Sequence, residues 1–249
     1  MPPPDQTSTS GAEGSLSLGA LAVANFLYKC MTGYDEPLKE LRALAGGVPD
    51  VGDPLHRLAL LKWLNQWGCQ HLAKDHHWLA SEGLCQWWET MGGKLPDVDT
   101  RLVHPGDADL GQFATVFDAL SSICAAKGNR GEREILVSFG PTAAAKTLFI
   151  LRPHFFVAWD APVRGRLGLG RSGESYVRFL KDARNRLQQT QRCCERLGAS
   201  LDGLPGKLGR PGSTAAELIN AYYWITLARG VSLPDRTTLE QWLEWSADC

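Results

Sequence analysis

Residues 137–169 decide the fold that we predict for this chain, and they read VSFGPTAAAKTLFILRPHFFVAWDAPVRGRLGL. We expect one helix to end just before Gly140 and a second helix to begin at Pro141, because proline suits the first turn of a helix. This second helix stops at Pro153. An apolar stretch then crosses the interior, and Asp160 follows it as the N-cap of a third helix.

The Gly140-Pro141 turn between two helices is suited to binding a DNA backbone. The amide groups of such a turn, together with the following helix N-terminus, point at phosphate oxygens without reading the base sequence. Asp160 follows about twenty residues later, next to large aromatic residues. The segment therefore combines a candidate phosphate site with a candidate catalytic carboxylate.

This segment resembles the core of the helix-hairpin-helix DNA glycosylase superfamily, which includes the endonuclease III-like and 8-oxoguanine glycosylases. In that family a glycine-rich hairpin precedes a crossing segment and a catalytic aspartate. The resemblance covers about thirty residues, and it implies an all-α (mostly α) fold with two helical subdomains and an active-site cleft between them. The residues that match are Gly140, Asp160, Val163, Arg164 and Arg166-Leu167-Gly168-Leu169.

The chain departs from the family pattern at the hairpin. Where the family usually has Leu-Pro-Gly-Val-Gly, this chain has Phe-Gly-Pro-Thr at residues 139–142. Bifunctional members carry a nucleophilic lysine where simple alignment places Ala144, and Lys146 lies two positions later, about 200° around a helix. Lys146 stands instead in the K-x-L-x-x-L-x-P setting of some outlying branches.

The resemblance implies catalytic roles for Asp160 and Lys146. Breaking an N-glycosidic bond builds positive charge on the sugar, which a carboxylate stabilises while it orients or deprotonates a water molecule. Asp160 is the candidate for this role, and its alternative role is that of a plain N-cap; the two roles are compatible. Lys146 either attacks the sugar to form a Schiff base or is a surface lysine that pairs with phosphate. We favour hydrolysis by water slightly over lyase chemistry.

Two further groups of residues are candidates for contacts with DNA. The first would contact the backbone and consists of Gly140, Thr142, Arg152, Arg164 and Arg166. The second would stack on a base that has left the helix, with core packing as the alternative role of each member; it consists of Phe156, Trp159, Tyr223 and Trp224.

The charge of the chain is unevenly distributed. The net charge is −1, which by itself disfavours nucleic-acid binding, but residues 146–210 carry an excess of eight positive charges. Such an excess suits a surface that meets phosphate. The alternative is a solvated helical face with internal salt bridges.

The pattern along the rest of the chain predicts a disordered tail at residues 1–14, rich in Pro, Ser, Thr and Gly, and one helical domain at residues 15–249. The hairpin and catalytic segment occupies about 131–170. Apart from residues 155–158, no alternating run indicates a strand. The predicted helices are 16–31, 36–45, 54–67, 76–91, 110–127, 131–139, 141–152, 161–168, 173–197, 213–229 and 237–246.

Several classes of site are not expected. Residues 16–27 form the most apolar run, which is too short to span a membrane. The spacing of the histidines and cysteines at residues 69–85 fits no usual zinc site, and the other cysteines do not supply an iron–sulfur loop. The odd cysteine count favours reduced thiols. We therefore expect a cytoplasmic monomer, nucleoid-associated if bacterial, without metal or cofactor.

These patterns together predict a DNA glycosylase that excises a modified or damaged base from double-stranded DNA. Its divergence from the known branches suggests an unusual base, such as a bulky modified base of phage DNA, and hence a role in antiviral defence. Two alternatives are a non-catalytic DNA-binding protein that retains the fold and an all-α interaction protein. Salt-dependent binding to duplex DNA separates the latter from the other two.

Overall fold

A computed structural model describes residues 16–72, 74–130 and 133–247. It is mostly α-helical, as predicted, with one small two-stranded hairpin. The predicted tail at residues 1–14 lies outside the described residues. The helices are α1 (Leu18–Met31), α2 (Asp35–Ala45), α3 (Pro54–Gln66), α4 (His77–Met91), α5 (Asp107–Gly111), α6 (Phe113–Ser122), α7 (Gly140–Leu151), α8 (Ala161–Arg166), α9 (Gly173–Arg196), α10 (Leu204–Lys207), α11 (Ala215–Tyr223) and α12 (Arg236–Ala247), and the strands are β1 (Cys124–Arg130) and β2 (Arg133–Ser138).

Helix α7 forms the centre of the molecule. Thr142 is the one residue of α7 that is not buried. A helix that is apolar on all sides has to be surrounded by other elements, and α7 packs against α3 and α6. The sequence favours this position because Ala143, Ala144 and Ala145 form helix readily and allow close approach of neighbouring elements. The side chains at both ends of α7 are thereby fixed within the core.

The hairpin corrects two predicted helices. The strands β1 and β2 form an antiparallel pair in which Gly128 lies opposite Ile135, whereas the sequence predicted helices at 110–127 and 131–139. The alanines and lysine of β1 favour a helix in isolation, but the breakers Gly128 and Asn129 and the β-branched residues of β2 favour strand pairing. The element before the Gly140 turn is therefore a strand, and the first helix of the predicted helix-hairpin-helix is not formed.

The crossing segment, residues 155–158, forms no strand: Phe155 lies in a turn and residues 156–158 have no regular secondary structure. Phe155 and Phe156 are packed within the core and stack edge to face with Phe113 at centroid distances of 5.1 and 5.3 Å. The crossing then leads directly to Asp160, which begins α8. Burial of large aromatic side chains thus determines the path of this segment.

The long helix α9 is anchored through its first residue. Gly173 donates its backbone N–H to Asp118 Oδ1 at 2.7 Å, and a Cβ atom at this position would lie 2.1 Å from the carbonyl oxygen of Ala114. Only glycine permits this approach between α9 and α6. Ser172 caps α9 by accepting a hydrogen bond from the backbone of Ser175. The predicted helix at 173–197 is therefore confirmed almost to the residue.

Helix α11 ends in an irregular turn. Residues Trp224–Ala228 form a π-helical turn, in which the backbone N–H of Arg229 bonds to the carbonyl of Trp224 at 3.0 Å. Such turns are frequent at functional sites. Among the residues that the structure describes, no helix combines the length and apolarity that crossing a bilayer requires.

Candidate functional site: an aromatic pocket around Lys146 and Asp160

One pocket of about 590 Å³ lies beside the Gly140 turn. Its lining comes from α1, the turn after α3, the end of β2, the start of α7, residues 158–164 and the end of α11. A volume in this range is typical of a small-molecule or cofactor site. The residues of the predicted site that line it are Gly140, Thr142, Lys146, Trp159, Asp160, Arg164 and Trp224.

Lys146 lies in the wall of this pocket, 9% exposed, which contradicts a surface lysine. Its Nζ donates a hydrogen bond to the backbone carbonyl of Trp67, the residue that follows α3 as its C-cap. Burial lowers the pKa of the Lys146 amine, and the nearby charges of Cys69 and Asp160 oppose that shift. The amine is thus held by a helix C-terminus and is easier to deprotonate than an exposed lysine.

Asp160 caps α8 and still faces the pocket. Its Oδ1 accepts a hydrogen bond from the Val163 backbone N–H at 3.0 Å, as predicted for an N-cap. Among the described residues its second oxygen, Oδ2, has no hydrogen-bond partner. One oxygen therefore fixes the orientation of the carboxylate, and the other is free for a ligand.

The turn at Gly140 is tied to the segment around Asp160. Gly140 has a φ of 79°, a left-handed conformation that glycine adopts without strain. The carbonyl of Pro141 accepts the indole N–H of Trp159 at 3.1 Å, and the hydroxyl of Thr142 accepts a hydrogen bond from Arg164 at 3.0 Å. These two bonds hold the start of α7 against the segment that bears the carboxylate.

Aromatic side chains distant in sequence form another wall of the pocket. Trp224 stands edge-on to both Tyr28 and Tyr34, with centroids 5.5 and 6.0 Å apart, and Tyr34 contacts Trp67 at 5.6 Å. The sequence suggested only Trp224 of these four. No local motif marks the other three, because the tertiary fold brings α1 and the residue after α3 to α7.

Polar residues of the pocket were also missed. His71 Nε2 is 2.8 Å from the carbonyl oxygen of Phe139, and this hydrogen bond stabilises the Gly140 turn where β2 ends. Asn220 projects from α11, and within the described chain its amide has no hydrogen-bond partner. Arg171 also lines the pocket, and no acidic side chain among the described residues lies within ion-pair distance of it. These groups supply donors and acceptors to a mostly aromatic cavity.

Four predicted contact residues lie away from the pocket. Phe156 and Tyr223 are buried in the core, where Tyr223 donates its hydroxyl to Asp182 at 2.5 Å; packing accounts for both. The guanidinium of Arg152, which the sequence predicted to bind phosphate, donates a hydrogen bond to the backbone carbonyl of Pro96 instead. Arg166 is exposed but does not line the cavity.

Seven of the thirteen positive charges of residues 146–210 fall into two sets. The first set, which consists of three of the six on α9 and Arg210, forms ion pairs with acids. Lys181 and Arg184 both bind Asp107, at 3.0 and 2.5 Å. By contrast, Lys146, Arg164 and Arg171 line the pocket, and no acid of the described chain lies within ion-pair distance of them. The other two ion pairs of the first set, which do not involve Asp107, are Arg186–Asp182 and Arg210–Asp35.

Within residues 16–72, 74–130 and 133–247, no group of three or more His, Cys, Asp or Glu side chains is arranged to hold a metal ion. The pocket is lined by a lysine, a carboxylate and aromatic side chains. Comparison of the chain with protein-family models, curated proteins and solved structures gives no significant match.

Proposed function

We propose that the chain is a DNA glycosylase that removes a modified or damaged base from double-stranded DNA. The observation that carries this proposal is the meeting of Lys146 and Asp160 in one aromatic pocket, directly behind the Gly140 turn. A buried amine of lowered pKa next to a carboxylate with one free oxygen is the pairing that base excision through a Schiff base requires. The resemblance of residues 137–169 to the helix-hairpin-helix glycosylases supports the same chemistry.

The proposed reaction begins with the unprotonated Lys146 amine. Its nitrogen attacks C1′ of the sugar while the N-glycosidic bond breaks, and the bonding electrons leave with the base, which takes up a proton. The nitrogen then loses a proton and forms the C=N bond as the C1′–O4′ bond opens; the electrons of that bond stay on O4′, which takes up a proton, and a protonated Schiff base remains. Asp160 stabilises the positive charge on the sugar through Oδ2. The burial of Lys146 favours this route over the hydrolysis by water that the sequence slightly favoured.

The aromatic walls give the extruded base its place. A flipped base has lost its stacking partners at a cost of a few kcal/mol, and stacking on an aromatic side chain contributes about 1–3 kcal/mol per base. Trp224 and Tyr34 offer such faces, and Asn220 offers a donor and an acceptor to the base edge. A cavity of about 590 Å³ is within the range that holds drug-sized ligands, so a base with a bulky substituent, such as those of phage DNA, remains part of the proposal.

The test is a panel of duplexes that each contain one oxidised, alkylated, deaminated or hypermodified base. Release of the free base and abasic sites are measured, and covalent complexes are trapped with borohydride. We expect release from at least one duplex, with Asp160→Asn lowering its rate about 10²–10⁴-fold and Lys146→Ala abolishing trapping. Matched controls are Asp202→Asn and Lys39→Gln, both at exposed sites away from the pocket.

Two results would contradict this proposal. One is the absence of salt-dependent binding to any duplex, which would point instead to an interaction protein. The other is binding without release from any base of the panel, which would leave a non-catalytic DNA-binding protein. Release that persists in Lys146→Ala without trapping in the wild type would keep the glycosylase and replace the Schiff base with a water nucleophile.

A further inference from the structure

The β-hairpin is anchored at its base and exposed toward its tip. At the base, Ala125 and Ala126 are buried, Cys124 packs against α4, and the Lys127 N–H bonds to His76 Nδ1 at 3.2 Å. Farther out, Ile135 is 40% and Leu136 is 68% exposed. Consecutive side chains of a strand point to opposite faces, so neither face of β2 is covered at this level.

The hairpin is continuous with the candidate active site. Val137 and Ser138, the last residues of β2, line the pocket together with Lys146 and Asp160. Leu136 lies two residues before Ser138, on the same face of the strand and about 7 Å farther out. The exposed aliphatic side chain is therefore placed next to the mouth of the pocket.

The surroundings of this leucine suit nucleic acid. Arg164 and Arg171 line the pocket without an acidic partner in the described chain. A two-stranded β-ribbon fits a DNA groove, and aliphatic side chains such as leucine are used as wedges between base steps. Charge, shape and position thus agree on one partner.

We infer that the strand pair β1 and β2 is a DNA-engaging element whose Leu136 fills the space left in the duplex when a nucleotide enters the pocket. This inference rests on the proposed function. Unstacking leaves apolar base faces open to water, and an inserted side chain covers them. The hairpin stands in the place of the first helix of the predicted helix-hairpin-helix, so it is a feature of this chain that the sequence pattern did not contain.

The test uses two duplexes, one unmodified and one with a single tetrahydrofuran abasic site, which mimics a nucleotide already removed from the stack. We expect Leu136→Ala to weaken binding to the abasic duplex at least about tenfold and to change binding to the unmodified duplex less than about twofold. Leu136→Met, which keeps a long aliphatic side chain, should restore most of the affinity. The matched control is Leu243→Ala on α12, where the leucine is 69% exposed.

A second measurement reports insertion itself. 2-Aminopurine opposite the abasic site brightens when it is unstacked, and this signal should rise with the wild type and stay low with Leu136→Ala. Equal affinities of wild type and Leu136→Ala for the abasic duplex would overturn the inference while base release leaves the proposed function intact. Equal losses in Leu136→Ala and Leu243→Ala would overturn it as well. Absence of wild-type binding to both duplexes would overturn both proposals.

Discussion

The two sets of positive charges in residues 146–210 come from one stretch of sequence but have different environments. Arg184, Arg186 and Arg210 each bind a carboxylate within 2.9 Å, so their charges are used inside the protein. Lys146, Arg164 and Arg171 lie at the pocket without such a partner in the described chain. A local excess of charge in a sequence therefore indicates a phosphate-binding surface only where the fold leaves the charges unpaired.

The largest effect that we expect within this comparison is on stability, from Arg210→Met. The Arg210 side chain is 5% exposed and binds Asp35 and the buried Asn25 at 2.8 and 2.7 Å. Breaking a buried pair leaves its partners uncompensated, so the free energy of unfolding should fall by about 3 kcal/mol, measured by urea denaturation. The affinity of the folded fraction for DNA should not change; a loss of affinity at full stability would place Arg210 in the other set.

The next effect is a pH dependence of Schiff-base trapping. Burial lowers the pKa of Lys146 below its value in the unfolded chain, so the trapping rate should rise about tenfold per pH unit and level off below the pKa of an ordinary lysine.

Stability should respond to the same titration. Between the two pKa values of Lys146 the native state binds fewer protons than the unfolded state, so stability rises with pH in that window and is constant below it. Lys146→Met should remove this rise and leave the pH dependence otherwise unaltered. A trapping profile that levels off only in the range of an exposed lysine would contradict the lowered pKa.

A smaller effect is expected from Arg171→Gln. Arg171 is exposed at the pocket, so the loss of one phosphate contact should weaken binding to every duplex by up to about tenfold and reduce the slope of log affinity against log salt by about one. Melting temperature should be unchanged. An unaltered salt slope would show that Arg171 does not meet phosphate.

The smallest effect is expected from Lys181→Gln. The pair of Lys181 with Asp107 is exposed, and such pairs contribute less than about 1 kcal/mol. Because Arg184 also holds Asp107, we expect a change below about 0.5 kcal/mol in the free energy of unfolding and no change in DNA affinity or salt slope. A salt slope lowered as in Arg171→Gln would remove the distinction between the two sets.

The sequence predicted the parts of the site that depend on a short contiguous segment. Asp160 as a cap, the Gly140 turn and the helix after it follow from the local preferences of aspartate, glycine and proline. Trp67 lies 79 residues before Lys146 along the chain, and no local pattern joins them. Such contacts depend on how helices pack, which a single sequence does not show.

The hairpin shows a different reason for failure. Ala125, Ala126 and Lys127 favour a helix by intrinsic preference, but the partner strand with Ile135 and Val137 gives this stretch a cross-strand ladder. Pairing between segments overrides a weak local preference. The sequence likewise showed the positive charges of α9 but not that Lys181 and Arg184 pair with Asp107, because Asp107 lies more than seventy residues away in the chain.

The π-helical turn after α11 separates two neighbouring aromatic side chains. Tyr223 points into the core and Trp224 into the pocket, and from Trp224 onward the chain accommodates one residue more per turn than an α-helix. Deletion of a single residue from 225–228 would convert this turn to regular helix and leave everything before it in register. Because Ile225 of the turn is fully buried and the turn packs against α1 and α8, such a deletion would also displace core side chains, so the aromatic wall keeps its shape only while the turn keeps its extra residue.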